Sequence, residues 1–259
     1  MKKLKVLSIV LVLVMALAFV SDASTLAAPA PATAKLYQGF ATVPTFRVGP
    51  GKDANGTQVY SFTVTMVTAT FDSNGRIIDV YYDGLEVATP NYDGASMPHF
   101  SGWPGTPGYN VSEHKGEESK IIGKSKNTDT TIAAEVNGWV TKRERGASYG
   151  MNPANDWYKQ IDFYQNFFKG KTIAEIEAWA ARNTSDLNGR PLKVPTEKTK
   201  PEDKAKYEKL TVAEKAALAD VVSGATMSLK DAHGDFIGVL KEAYANRREV
   251  AIPVQISVK

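Results

Sequence analysis

The sequence predicts an α+β fold, and three observations support this class. Residues 59–71 alternate at strand spacing, and residues 76–82 have the composition of a strand that returns beside them. Residues 172–175 and 211–214 both have the Thr-x-x-Glu form of a capping box, which predicts a helix start at each place. Residues 249–258 alternate again and predict a final strand. We therefore expect an antiparallel sheet with helices packed against it.

The N-terminus has the pattern of an export signal. Residues 1–5 are basic, residues 6–20 form an apolar run too short for a comfortable membrane span, and small residues at Ser21 and Ala23 predict cleavage after Ala23. The interpretation is a signal peptide over 1–23, an Ala/Pro linker over 24–35 and a single domain over 36–259. The alternative is that residues 1–23 stay attached as a membrane anchor.

Composition excludes several kinds of redox centre. The chain of 259 residues contains no cysteine, so disulfides, iron–sulfur ligands and c-type haem attachment are excluded. An exported redox protein of this composition therefore needs an organic cofactor. The formal net charge is +3, and removal of residues 1–23 leaves about +1, which gives no indication of nucleic-acid binding. The three histidines lack metal-ligand spacing, so no metal site is predicted.

The first part of the domain predicts a β-hairpin. Residues 36–48 suggest a strand with a break at Pro44. In the next strand Tyr60, Phe62, Val64 and Met66 share one face and mostly Thr or Ser the other, which is the alternation of a strand with one side buried. The segment Asp72-Ser73-Asn74-Gly75 is typical of the turn that joins it to its partner. Later, around residues 155–182, an aromatic stripe and a capping box predict an inserted pair of helices, with a cap at Asn155 or Asp156 and an end at Gly170.

Residues 85–110 predict an irregular segment, because they combine Pro-Gly turn chemistry with four aromatic rings. One interpretation is an ordered surface loop whose rings pack on the hairpin. The other is a wall for a planar cofactor ring. In the second case the residues expected at the cofactor are Thr89, Pro90, Tyr92, Trp103 and Tyr109.

The segment from Asp220 to Ser228 reads Asp-Val-Val-Ser-Gly-Ala-Thr-Met-Ser and lies between two helical patterns. The spacing of apolar residues from Leu229 to Ala243 predicts that a helix begins just after it. Gly224 could take a positive φ, and Thr226 is then expected at a helix N-terminus, where free N–H groups favour a phosphate. The alternative is an ordinary interhelical turn with Thr226 or Ser228 as N-cap.

The run Asp-x-x-Ser-Gly-Ala-Thr resembles the flavinylation motif of the FMN-binding domain family, which includes subunits of sodium- and proton-coupled respiratory complexes and exported bacterial flavoproteins. Residues 157–172 are also similar to a segment of exported members of that family. The resemblance implies an FMN joined through its phosphate to the Thr226 hydroxyl, with Asp220, Ser223, Gly224 and Ala225 completing the motif.

The resemblance also implies partners and contacts. A separate flavin transferase that uses FAD and magnesium would form the phosphoester bond. Family members carry a Thr-Pro-Gly-like turn after the first hairpin, against the flavin ring; Thr89-Pro90 and Thr106-Pro107-Gly108 both match, and the acidic residue before Thr is replaced by Ala88 and Gly105.

The sequence is consistent with three functions. The first is an exported electron carrier at the cell surface, outside the cell or in the periplasm, with a membrane donor and an extracytoplasmic acceptor. The second is a flavin subunit of an extracytoplasmic reductase, so whether the chain is itself an enzyme is left open. The third is a secreted module without flavin that binds a ligand or the cell wall through its aromatic loop.

Overall fold

The computed structural model describes residues 35–52, 56, 58–90, 97–109, 121–124, 127–149, 151 and 155–250. The strands are β1 (Leu36–Lys52), β2 (Gln58–Phe71), β3 (Ile77–Ala88), β4 (Pro107–Tyr109), β5 (Ile121–Lys124), β6 (Lys230–Asp231), β7 (Gly234–Asp235) and β8 (Arg248–Val250). The helices are α1 (Asp129–Asn137), α2 (Lys142–Arg145), α3 (Trp157–Phe168), α4 (Ile173–Asn183), α5 (Pro201–Glu208), α6 (Val212–Gly224) and α7 (Phe236–Ala245), with one 3₁₀ turn, η1 (Gly146–Tyr149). The predicted α+β class is confirmed.

The main sheet is antiparallel, with strand order β3-β2-β1-β8. The predicted hairpin is present as β2 and β3. Its turn is closed by the Asp72 carboxylate, which accepts from the backbone N–H groups of Asn74 and Arg76, each at 2.8 Å. Gly75 has a φ of 77°, which an L side chain rarely adopts. Asp72 and Gly75 therefore specify this turn locally.

The predicted break at Pro44 is wrong. β1 runs continuously from Leu36 to Lys52, and Pro44 pairs with Val64 within it. β8 pairs only with Leu36–Gln38, so in the described part of the sheet the other side of β1 has no ladder partner at Pro44. A proline, which has no N–H to donate, is tolerated on such an edge.

Over residues 60–66, the two faces of β2 have the burial opposite to the usual rule for strand alternation. Tyr60 and Phe62 are 39% and 41% exposed, whereas Ser61, Thr63 and Thr65 are at most 3% exposed. The apolar side chains lie on the outer face of the sheet, and the small hydroxyl side chains face the interior. The interior next to this part of β2 is therefore polar, and it forms one wall of the candidate site below.

The hydrophobic core lies farther along the same sheet face. α7 packs on β1 and β2, and α3 packs on β3. The buried side chains of this core include Val67, Phe71, Ile77, Val80, Tyr82, Ile161, Tyr164, Phe168, Val239, Leu240 and Ala243. Gly39 allows the closest approach, because a Cβ there would overlap the backbone of Ala243 in α7. This packing fixes α3 and α7 on the sheet.

Three of the predicted helix starts are confirmed. α3 begins after Asp156, and capping boxes formed by Thr172 with Glu175 and by Thr211 with Glu214 open α4 and α6. The predicted signal peptide and residues 24–34 of the linker lie outside the described residues, as do residues 251–259 of the predicted last strand. No helix among the described residues is long and apolar enough to span a membrane.

Candidate functional site

Thr226 lies on a loop that follows a helix, and the predicted helix N-terminus at this position is wrong. α6 ends at Gly224, and Ala225 leaves the helix in an extended conformation with φ −150° and ψ 135°. The next helix, α7, begins at Phe236 with Asp235 as its N-cap. The intervening residues form the small β6–β7 hairpin. The phosphate site of a helix N-terminus is therefore not available to Thr226.

The small residues before Thr226 allow close packing, as the sequence indicates. Gly224 is helical and is not among the glycines with positive φ, but a Cβ at this position would overlap the ring of Phe163. Ala225 is 1% exposed. Asp220 is exposed and has no side-chain partner among the described residues, while the Ser223 hydroxyl donates to the Asp220 carbonyl at 2.6 Å. Asp220 is therefore placed on the surface of α6.

Gln160 from α3 positions the loop at Thr226. Its Oε1 accepts from the backbone N–H groups of Thr226 and Met227, both at 2.8 Å. Gln160 is 1% exposed, and its Nε2 donates to the carbonyl of Asn155 at 2.7 Å. The Tyr164 hydroxyl donates to the Met227 carbonyl at 3.0 Å. Side chains of α3 thus satisfy three backbone groups of this loop, at Thr226 and Met227.

A cavity of about 350 Å³ opens beside this loop. The residues that line it come from α2, η1, α3, the loops after α4 and α6, the β6–β7 hairpin and the start of α7: Lys142, Tyr149, Met151, Trp157, Gln160, Arg190, Thr226, Met227, Ser228, Asp231, His233 and Phe236. The Thr226 hydroxyl has no hydrogen-bond partner within the described part of the chain. Thr226 is therefore a free hydroxyl at the wall of a cavity with mixed polar and apolar lining.

One side of the cavity can bind an anion. The guanidinium of Arg190 has no ion pair or hydrogen bond among the described residues. Its position depends on Gly189, which has a φ of 67° and packs so closely on Lys230 and Ser228 that a Cβ would overlap them. The Ser228 hydroxyl donates to the Asn188 carbonyl at 2.6 Å. Arg190 is suited to a phosphate because its planar fork can donate two parallel hydrogen bonds.

The cavity-lining residue Lys142 belongs to a buried ion pair. The Lys142 ammonium lies 3.0 Å from the Glu86 carboxylate, and each side chain is at most 3% exposed. Glu86 also accepts from the Tyr149 hydroxyl at 3.0 Å and from the Ser61 hydroxyl at 3.2 Å. Burial alone would raise the pKa of the Glu86 carboxyl, but the Lys142 ammonium and the Tyr149 hydrogen bond hold that pKa below its ordinary value. Burial lowers the pKa of the Lys142 ammonium, and Glu86 partly offsets the effect.

Two hydroxyls of β2 extend this polar region under the β6–β7 hairpin. The Oγ1 atoms of Thr63 and Thr65 are buried and have no hydrogen-bond partner among the described residues. Thr65 Oγ1 lies against Gly234, where a Cβ would come within 2.7 Å. Thr63 is on the same face, near Gly84 and the Lys142 stem that packs there. The sheet therefore contributes polar groups to the region behind the cavity.

The β6–β7 hairpin contributes a carboxylate–imidazole pair. Asp231 Oδ1 accepts from the backbone N–H of His233 at 2.7 Å and lies 3.1 Å from Nδ1 of the same residue. Burial would raise the pKa of the Asp231 carboxyl, but the hydrogen bonds from His233 and nearby positive charges hold it below its ordinary value. Asp231 thereby fixes the orientation of the imidazole at the cavity wall.

The structure does not bring the described residues of the aromatic loop into this cavity lining. Thr89 pairs with Tyr60 at the end of the β2–β3 hairpin, and Pro90 follows it. Trp103 is 61% exposed and packs edge-on against Phe100 at 4.8 Å between ring centroids. Tyr92 and the side chain of Tyr109 lie outside the described residues.

Several lining residues were not found from the sequence. Lys142, Gln160, Arg190 and the Asp231–His233 pair line the cavity, Glu86 pairs with Lys142, and these residues come from five different parts of the chain. One local signal was available, because Glu86 is a charged residue between Leu85 and Val87 in an apolar strand. The others become neighbours only through the fold. Within the described residues, no group of three or more Asp, Glu, His or Cys side chains could hold a metal ion.

The chain is similar to a curated protein that is named as a reductase. Over 231 residues the chain is 36% identical to a protein named chlorophenol reductase from Desulfitobacterium hafniense, and the match covers 86% of this chain. The chain spans 62% of the length of that relative. No protein-family profile and no solved structure matches the chain.

Proposed function

We propose that this chain is an exported flavoprotein that carries FMN on Thr226 through a phosphoester bond and acts in extracytoplasmic electron transfer. The observation that carries the proposal is the free Thr226 hydroxyl, the last residue of an Asp-x-x-Ser-Gly-Ala-Thr motif, at the wall of a cavity of about 350 Å³. A redox role is supported independently by the 36% identity to a protein named a reductase.

The cavity residues fit the parts of an FMN. Arg190 is an unpaired cation suited to a phosphate beside the Thr226 hydroxyl. Met151, Trp157 and Phe236 supply apolar and aromatic surface for a planar ring. Lys142 and Tyr149, both bound to the Glu86 carboxylate, give this wall of the cavity a polar surface. A mixed lining of this kind is typical of cofactor sites.

In the proposed mechanism, a bound FMN supplies the capacity to accept and release one or two electrons. This chain's own residues bind and orient it. Gln160 holds the loop backbone, so the Thr226 hydroxyl is presented at a fixed place. Arg190 balances phosphate charge, and Trp157 and Phe236 keep water from part of the cavity.

The proposed attachment reaction uses FAD and magnesium and needs a separate transferase. The Thr226 oxygen attacks the phosphorus of the FMN half of FAD, the bond between the two phosphates breaks, and AMP leaves. The hydroxyl proton passes to a base of the transferase. The mass of the chain therefore increases by one FMN less one water. A covalent tether suits a protein outside the cell, where a lost cofactor could not be recovered.

A second candidate is a flavin subunit of an extracytoplasmic reductase. It is favoured by the name of the relative and by three hydrogen-bonding side chains in one cavity, Lys142, Tyr149 and His233. The carrier and the reductase differ in their acceptors. Steady-state reduction of chlorinated phenols and of one-electron acceptors by the flavinylated protein would separate them.

The test of the flavin itself is an intact-mass measurement. The full chain would be produced with and without a flavin transferase, in the presence of FAD and magnesium, and denatured before measurement. We expect the added mass only with the transferase, together with flavin absorbance that persists after denaturation. A chain that gains no mass in any preparation would contradict the proposal and favour a ligand-binding module without flavin.

A further inference from the structure

One nitrogen of the His233 imidazole, Nδ1, is hydrogen-bonded to Asp231, and the other, Nε2, has no partner among the described residues. Nδ1 lies 3.1 Å from Asp231 Oδ1 and donates to it, and the backbone N–H of His233 donates to the same oxygen at 2.7 Å. Nε2 then carries the lone pair, and it has no partner within the described residues. The side chain is 41% exposed, so protons can exchange with water. The geometry is that of an oriented base at a cavity wall.

His233 lies near charged groups of both signs. Lys142 Nζ donates to the His233 carbonyl at 3.4 Å, but its charge is paired with Glu86 at 3.0 Å. The titratable and charged groups of this region come from the hairpin itself, β3, α2, η1, the loop after α4 and β1: Asp231, Glu86, Lys142, Tyr149, Arg190 and Arg47, which is paired with Glu86 at 3.5 Å. A change of charge in the cavity would therefore change the electrostatic potential at the imidazole, because His233 lines that cavity.

We infer that His233 takes up a proton when the flavin on Thr226 is reduced. This inference rests on the proposed function. Two electrons from an external reductant and one solvent proton on a ring nitrogen leave the reduced ring with one negative charge. A second solvent proton binds His233 Nε2, and the imidazolium offsets that charge. Reduction thus takes up two electrons and two protons in total. Oxidation releases the same two electrons and two protons.

Asp231 is a positioning residue in this scheme. Its carboxylate fixes the tautomer through Nδ1 and stabilises the imidazolium once Nε2 is protonated. The exposed part of His233 allows the proton to come from water. The consequence is a redox potential that depends on pH through a protein residue in addition to the flavin.

The test is the midpoint potential of the flavinylated full-length protein as a function of pH, with dithionite as reductant. In the wild-type protein we expect a pH interval in which the midpoint potential falls more steeply with pH, by one extra proton for every two electrons. We expect this steep interval to be lost in His233→Gln. The matched control is His99→Gln. His99 is 39% exposed and lies 3.7 Å from Glu135, but it does not line the cavity, so its removal should leave the steep interval unchanged.

The role of Asp231 gives a second readout. Asp231→Asn should move the steep interval to lower pH, because the imidazolium loses its carboxylate partner, and Asp231→Glu should move it back. An Asp231 that only shapes the hairpin would leave the interval in place in every variant that folds.

The inference and the proposed function fail in different ways. Absence of FMN by intact mass would contradict the proposed function. A flavinylated His233→Gln protein with an unchanged steep interval would overturn the inference alone. Should that variant not fold, NMR titration of the wild-type imidazole in the oxidised and reduced protein decides: a higher titration midpoint after reduction supports the inference, and equal midpoints overturn it.

Discussion

Gln160 Oε1 lies 2.8 Å from the backbone N–H of Thr226, and the same oxygen accepts from Met227 at 2.8 Å. One buried side chain thus satisfies two amides of the loop that carries the candidate attachment site. These amides are not available to bind a phosphate. An anion at the Thr226 hydroxyl must therefore be balanced by a side chain, and Arg190 is the free cation in the described lining of the cavity.

Removal of this acceptor should loosen the attachment site. Gln160→Leu leaves two loop amides without their acceptor, and we expect a loss of about 1–3 kcal/mol in the free energy of unfolding. We also expect slower flavinylation, because the Thr226 hydroxyl would no longer be held in place. Urea unfolding and the time course of added mass measure the two effects. Gln160→Glu keeps an acceptor oxygen but loses the amide donor to the Asn155 carbonyl, so a smaller fall in flavinylation rate than in Gln160→Leu would assign the effect to the acceptor. Equal flavinylation rates in wild type and Gln160→Leu would contradict this role.

Asp220 should matter for modification more than for folding. Its carboxylate is exposed near the C-terminal end of α6, where the helix dipole disfavours a negative charge. Asp220→Ala and Asp220→Asn should therefore keep the wild-type stability within about 1 kcal/mol. Both should flavinylate poorly if the transferase recognises the carboxylate. Unfolding curves and intact mass measure this, and full modification at the wild-type rate would remove Asp220 from the recognition motif.

Removing only one partner of the buried Glu86–Lys142 ion pair should lower the stability of the fold. Lys142→Met removes the nearer of two cations from the buried Glu86 carboxylate and leaves only Arg47, at 3.5 Å, so we expect a loss toward the lower end of about 3–5 kcal/mol in the free energy of unfolding. The double variant Glu86→Gln with Lys142→Met removes both charges and should recover most of that loss. Urea unfolding of the single and double variants tests this, and additive losses would show that the two residues are not coupled.

Glu214 should make stability depend on pH in the acid range. Its pKa is lowered from 4.5 to about 2, first by a hydrogen bond from Arg182 and then by the N–H of Thr211 in the capping box. Since the folded pKa lies below the unfolded one, this contribution is present above 4.5 and is lost as the pH falls to about 2. Glu214→Gln should reduce the dependence of the urea midpoint on pH over that range. Glu208→Gln, at an exposed residue of α5 without a described ion pair, is the control.

The elements that could be predicted from the sequence are those with local causes. A capping box needs only its own four residues, so the starts of α4 at Thr172 and of α6 at Thr211 follow directly from the sequence. The same holds for the Asp72–Gly75 turn, where a side chain and a positive φ specify the geometry. The motif at Thr226 was found for the same reason.

Predictions from the sequence are wrong where contacts between residues far apart in the chain determine the local structure. Helical spacing was counted from Leu229, but the β6–β7 hairpin occupies residues 230–235, so the helix starts at Phe236. Ser61 and Thr63 face inward because Glu86 and Lys142 lie on that side of the sheet, which no strand pattern reveals. The cavity could not be predicted for the same reason, since its lining residues are far apart in the sequence.

The central claim is that the Thr226 hydroxyl carries FMN, and the mass of the tryptic peptide that contains it tests this most directly. After production with the transferase, we expect the FMN increment on that peptide in wild type and, at reduced yield, in Thr226→Ser. We expect none in Thr226→Ala. Ser228→Ala, which removes the neighbouring hydroxyl of the same cavity, should keep the increment. Covalent FMN that persists in Thr226→Ala, or that is lost in Ser228→Ala alone, would contradict the assignment.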